Sequence, residues 1–134
     1  RYSFVFGSRQ HPESTILRRQ SIIRELSGKL FNTFLKTMFF RGIHDTQCGF
    51  KGFTKEAAAL LFKHLHTPRF SFDVELFLWA KKFNLTIKEI PVNWENSSNS
   101  TVSFWKDTLN IFCEILILKI KHTIIFPFKI YHEK

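Results

Sequence analysis

The sequence predicts an α/β domain in which strands and helices mix without a clean alternating repeat, as in the second half of a larger sheet. Three observations predict it. "RYSFVFGSR" opens the chain as a strand from Tyr2 to Phe6 that runs into a loop, and a second strand follows from about Thr86 to Trp94. Between them, apolar residues at Ile16, Ile23, Leu26, Leu30, Phe34 and Met38 recur at steps of three, four and seven. That spacing makes one helix face apolar over about Ser14 to Phe40. With 134 residues, 44% of them hydrophobic and 16% aromatic, the chain has ample material for the core of one domain.

Taken in order, the long helix contains Gly28, a residue that can bend or interrupt it, and ends before Gly42, which suits a helix terminus. A polar loop, "DTQCGFK" from Asp45 to Lys51, then leads to Thr54, which reads as the N-cap of a helix from about Lys55 to Leu65. Another helix spans about Asp73 to Phe83. In the strand after it, Pro91 removes a ladder donor, so that strand belongs at an edge or ends early. "ENSSNST", from Glu95 to Thr101, reads as a mobile loop, and the chain has no internal repeat.

Lys plus Arg exceed Asp plus Glu by 20 to 11, a formal +9, so polyanions are the expected partners: nucleic acid, an anionic membrane surface or a phosphate-bearing substrate. No nucleic-acid-binding signature accompanies the charge. Cys48 and Cys113, far apart and without a secretory signal, fit two reduced thiols in a cytosolic setting. The chain begins at Arg1 within what reads as a strand, and is expected to be a fragment.

Several groups of residues could carry chemistry. "GSR" at Gly7 to Arg9 follows a strand, where α/β sheets present ligand-binding groups, although the tripeptide alone reads more simply as a turn with a solvated arginine. Asp73 and Glu75 in "FDVEL" open a helix, where the dipole favours carboxylates; as metal ligands they lack a third partner. His64 and His66 do not share a helix face and make no metal pair. No hydrolase triad spacing, Walker pattern or dinucleotide glycine pattern occurs.

In sequence, "FGSR", "RELSGKLFN", "GIHDTQCGFKGFTKEAA" and "FSFDVELFLWAKKFNLTIKEIPVNW" resemble the dolichyl-phosphate β-glucosyltransferase family, over about Phe4 to Leu116. The order and spacing of the four blocks make the likeness specific, and dolichol-phosphate mannose synthases and other polyprenyl-phosphate glycosyltransferases share looser versions. The resemblance implies the C-terminal half of a GT-A, Rossmann-like glycosyltransferase domain with a mixed sheet: residues 1–102 as its acceptor-side part and 103–134 as an amphipathic helical tail. It implies transfer of glucose from UDP-glucose to dolichyl phosphate, with inversion, at the cytosolic face of the endoplasmic reticulum membrane. Mg²⁺ or Mn²⁺ would be held by a D-x-D pair that does not occur here, so no metal ligand is expected in this chain.

A lipid phosphate has a second pKa near 6 and needs no strong base to act as a nucleophile. Two anions must instead be brought together, which calls for fixed positive charge. By resemblance, Arg9, together with Arg24 and Ser27, or Arg19 in place of Arg24, match phosphate-contacting parts of the family. Asp45, Gln47 and Lys51 are the expected catalytic set, Lys51 supplying charge and Asp45 with Gln47 orienting the acceptor, holding the loop or bonding the sugar hydroxyls; a base role for Asp45 is chemically unnecessary. Asp73 and Glu75 are supporting carboxylates. Gly49 would allow close backbone approach, and Cys48 is expected to pack.

The stretch Leu109 to Phe128 includes Glu114, Lys119, Lys121, His122 and Pro127. Each central charge would cost about 2.5–3.5 kcal/mol in a bilayer, so no transmembrane span is expected. Trp105, Leu109, Phe112 and Leu116 share a helix face near two lysines, which suits either a helix lying in the membrane interface or one packing on the core. A non-catalytic basic module for membrane or nucleic acid would explain the charge, but leaves "DTQCGFK" and the paired carboxylates unexplained.

Overall fold

The computed structural model describes residues 1–18, 21–40, 42–67, 71–96 and 104–124. Its elements are β1 (Phe4–Ser8), β2 (Thr15–Arg18), α1 (Ile22–Met38), β3 (Lys51–Phe53), α2 (Lys55–Lys63), α3 (Phe72–Lys82), β4 (Ile87–Pro91), β5 (Asn93–Glu95) and α4 (Phe104–Ile124). β1 is central in a mixed sheet of order β3-β1-β4, antiparallel to β3 and parallel to β4. A separate parallel ribbon pairs β2 with β5. This is the mixed α/β class that the sequence predicts.

The core forms where one face of β1 meets α3. Phe4 and Phe6 alternate onto that face, and both rings lie 4.9 Å from Phe77 of α3. Phe4 also stacks on Phe53 at 4.6 Å. α3 is buried on nearly every side, because α4 covers it with Ile115 and Leu118 while α2 adds Ala57 and Leu61. Thr54 caps α2 as expected, its hydroxyl accepting from the Ala57 N–H at 3.2 Å. α4 thus packs through Ile111, Ile115 and Leu118, while Phe112, Ile117 and Ile120 stay exposed. The side chains of Trp105 and Leu109 lie outside the described residues.

Two boundaries differ from the sequence reading. Residues 15–18 are a strand, because Thr15 and Ile16 pair with Asn93 and Trp94, so the helix starts at Ile22 and not near Ser14. It then runs through Gly28 without a break. The strand expected over 86–94 divides at Val92: β4 ends at Pro91 on the sheet edge, and β5 turns away to join β2. Both differences come from ribbon pairing between residues far apart in sequence, which periodicity does not report.

Candidate functional site

The site is built where β1 ends. Gly7 lies so close to its neighbours that a Cβ there would come within 2.5 Å of Val92 Cγ1, 3.2 Å of Phe50 Cβ and 3.3 Å of Cys48 Sγ. Glycine at this position lets the 42–50 loop and the β4–β5 link close over the strand end. Ser14 fastens the same junction: its hydroxyl donates to the Ser8 carbonyl at 2.5 Å and accepts from the Val92 N–H at 3.0 Å.

Arg9 follows, and Asp45 of the loop takes it in a fork. Asp45 Oδ2 accepts from the Arg9 N–H at 3.0 Å and from Nε at 2.6 Å, while Oδ1 accepts from Nη2 at 2.8 Å. The Asp45 side chain is 1% exposed and that of Arg9 28%. Burial pushes the Asp45 carboxyl up, but the hydrogen bonds and charge of Arg9 together outweigh it and hold Asp45 below its ordinary value. The hydrogen bond to Asp45 raises Arg9 in turn. The guanidinium lies over the Trp94 ring, with Cζ 5.6 Å from the ring centroid.

Lys51, at the start of β3, makes the second pair. Its Nζ reaches Asp73 Oδ1 at 2.8 Å and donates to the Cys48 carbonyl at 2.5 Å, and the side chain is 7% exposed. Burial raises Asp73 despite Lys51, and the charge on Asp45 adds to the rise, so the two pairs feel one another. The formal charges of Arg9, Asp45, Lys51 and Asp73 sum to zero. His44 meets Glu89 Oε2 at 2.8 Å and ties the same loop to β4. Gly42, at φ +87°, turns the chain into the loop after α1.

The remaining candidates fall elsewhere. Gln47 is half-buried beside Asp45; its side-chain amide donates to the Thr46 hydroxyl at 3.5 Å, and its backbone N–H bonds the Asp45 carboxylate and helps hold it low. Glu75 lies on the other side of α3 from Asp73, accepting from the His66 and Thr67 N–H groups at 3.1 and 2.8 Å and from Trp79 Nε1 at 3.2 Å. Burial alone would raise Glu75, but bonds from Thr67, His66 and Trp79 hold it low. It anchors the segment before α3. Ser27 donates back to the Ile23 carbonyl within α1 at 2.8 Å. Arg19 and the side chain of Arg24 lie outside the described residues. Cys48 is buried and packs as expected, and a Cβ built at Gly49 meets nothing within 4 Å. Among the described residues no group of three or more His, Cys, Asp or Glu side chains could hold a metal ion.

The glycine demanded by packing is thus Gly7, together with Gly42 for its backbone. Gly7→Ala is expected to destabilise the full-length protein by about 1–3 kcal/mol, the usual effect of overpacking. Gly49→Ala should stay within about 0.5 kcal/mol. Denaturant melts of the two variants check this.

Two features escaped the sequence reading. Trp94 was visible only as the end of a strand, and nothing in its spacing connects it to Arg9. The partnerships Arg9–Asp45 and Lys51–Asp73 join residues 36 and 22 positions apart, and only the fold brings them together.

Comparison with known proteins bears on what this loop serves. The chain is 39% identical over 117 residues to the dolichyl-phosphate beta-glucosyltransferase of Homo sapiens. Its likeness is to dolichyl-phosphate beta-glucosyltransferases. The Dictyostelium discoideum protein of that name is 35% identical over 119 residues and the Saccharomyces cerevisiae one 32% over 119. These alignments take in 87% to 88% of the chain but 36% of each relative, so the chain spans about a third of their length. No protein-family model and no solved structure matches it.

Proposed function

We propose that this chain is the acceptor-side, C-terminal part of a GT-A glycosyltransferase that moves glucose from UDP-glucose to dolichyl phosphate at the cytosolic face of the endoplasmic reticulum membrane. The observation that carries the reading is the placing of Arg9 and Lys51 by Asp45 and Asp73, within a chain that is 32% to 39% identical to transferases of that name. In the reaction, an oxygen of the lipid phosphate attacks the anomeric carbon of glucose. The bond from that carbon to UDP breaks as the new one forms, the electron pair leaves with UDP, and configuration inverts.

The residues present suit this division of labour. The phosphate nucleophile is already anionic, so Asp45, kept ionised and bound in a fork to Arg9, acts by orienting the guanidinium and not as a base. Arg9 is the accessible cation and offers phosphate oxygens the part of its fork that Asp45 leaves. Lys51 is nearly enclosed and fixes the loop through the Cys48 carbonyl. Mg²⁺ or Mn²⁺ is the expected companion of the leaving diphosphate, but these carboxylates do not fit it: both oxygens of Asp45 serve Arg9, and Asp73 serves Lys51. We place the ligands of that ion outside this chain.

The lipid acceptor gives a bilayer partner to an otherwise unexplained surface. Ile22, Ile23, Leu26 and Leu30 on α1 are 58% to 84% exposed. The stripe continues through Phe34, whose ring lies 4.5 Å from Phe112 of α4. Leu17, Ile117 and Ile120 are also exposed, and Arg18 and Lys29 stand among these residues at the surface. An apolar face with basic neighbours suits a helix seated in an anionic membrane interface. No described helix is long and apolar enough to cross a membrane.

The test is a transfer assay on the full-length protein with dolichyl phosphate and either UDP-glucose or GDP-mannose. Glucosyl transfer is expected; mannosyl transfer alone would move the protein to the mannose synthases, and no transfer from either donor would overturn the reading. Endoglycosidase treatment of the protein made in eukaryotic cells tests its cytosolic placement. The sequons at Asn84, Asn96 and Asn99 should be unmodified.

A further inference from the structure

Arg9 is held on one edge by Asp45 and lies over an aromatic ring. Nε and Nη2 both go to the carboxylate, and Cζ lies over the Trp94 ring, 5.6 Å from its centroid, inside the range in which a ring attracts a cation. These two restraints are independent. The two-point fork sets both the direction and the plane of the guanidinium. The ring adds an attraction for the cation that keeps it seated in that fork. Nη1 is the donor corner that Asp45 does not use.

The ring is brought there by a dedicated piece of structure. β4 leaves the main sheet at Val92, and β5 carries Trp94 into the ribbon, where it pairs with Ile16 of β2. Ser14 pins both strands of that ribbon to the end of β1 through the Ser8 carbonyl and the Val92 N–H. Arg9 immediately follows the same strand end, so the residue and the ring it lies over share one support. We infer that Trp94 is a positioning residue that holds the Arg9 guanidinium ready for a phosphate group. The inference rests on the transferase reading for the identity of that phosphate, which comes from either the lipid acceptor or the nucleotide donor.

The test uses the full-length protein with Trp94→Leu, which keeps bulk without a π face, and Trp94→Phe, which keeps an aromatic face. Trp94→Leu should raise KM by about threefold to thirtyfold, the range of a partly shielded cation–π contact, with kcat little changed. Trp94→Phe should recover most of the loss. A rise confined to dolichyl phosphate assigns the held phosphate to the acceptor, and one confined to UDP-glucose assigns it to the donor. In an Arg9→Gln background, which has no cation for the ring to attract, Trp94→Leu should add nothing. An unchanged KM for both substrates in Trp94→Leu, or equal loss in both Arg9 backgrounds, would overturn the inference. A readout independent of the reaction is hydrogen exchange at Arg9 Nε–H, followed by NMR on arginine-labelled protein. Exchange should speed up in Trp94→Leu and stay slow in Trp94→Phe; equal rates would count against Trp94 even in a protein that fails to transfer glucose.

Discussion

Arg9→Ala and Lys51→Ala in the full-length protein should each lower glucosyl transfer about a hundredfold or more, while Lys55→Ala, at the exposed start of α2, should leave it unchanged. Removing one preorganised donor from a developing anionic centre costs about 10²–10³ in rate, and these two cations are the ones that the loop fixes in place. The routes to the loss differ. Arg9 is accessible, so its removal takes away a donor and also strands Asp45, whose side chain is 1% exposed. Lys51 is enclosed, so its removal leaves Asp73 without its cation and frees the Cys48 carbonyl, which slackens the loop. Breaking such a buried pair from one side costs about 3 kcal/mol or more. A thermal melt should therefore show both variants destabilised, with Lys55→Ala at the wild-type midpoint. Equal turnover for all three variants would mean that the phosphate site lies elsewhere.

Replacing Ile22, Ile23, Leu26 and Leu30 together with serine should weaken binding of the full-length protein to anionic vesicles by about two orders of magnitude. Burying one such side chain in an apolar phase is worth about 1.5–3 kcal/mol, and partial insertion of four recovers a fraction of the sum. The substitution leaves packing intact, because α1 attaches to the core through Phe31, Phe34 and Leu35 and not through these four. Sedimentation with phosphatidylserine vesicles measures the change. Wild-type partition of the variant would take α1 out of the membrane contact and leave the exposed residues of α4 to account for it.

The same helix shows how far the sequence could be read. The period of its apolar residues gives a helix over about Ser14 to Phe40, of which Ile22–Met38 is helical, yet a period says only that a face is apolar and not what covers it. Here Ile23, Leu26 and Leu30 point to the surface, and the core takes the neighbouring face. Thr54 as a cap and Pro91 at an edge were legible because each acts on backbone within a few residues of itself. Residues 15–18 were not, since Thr15 and Ile16 become a strand only when β5 arrives beside them. At the site, the polar run from Asp45 to Lys51 stood out by composition. Its pairing with Arg9 and Asp73 depends on the path of the chain through the fold, so all four residues could be singled out from the sequence but not matched to one another.

The cancelling formal charges of Arg9, Asp45, Lys51 and Asp73 bear on how the anionic substrate of the proposed reaction would find the protein. A group of charges that sums to zero has a field that dies away within a few ångströms, whereas a net charge still acts across a Debye length of about 8 Å at physiological ionic strength. Attraction at a distance must then come from the scattered lysines and arginines behind the formal +9, which draw anions toward the surface as a whole. Salt would slow the encounter by screening that diffuse attraction, yet leave the short hydrogen-bonded contacts of a seated phosphate largely intact. Capture and grip are thereby assigned to different sets of residues, and either can change in evolution without disturbing the other.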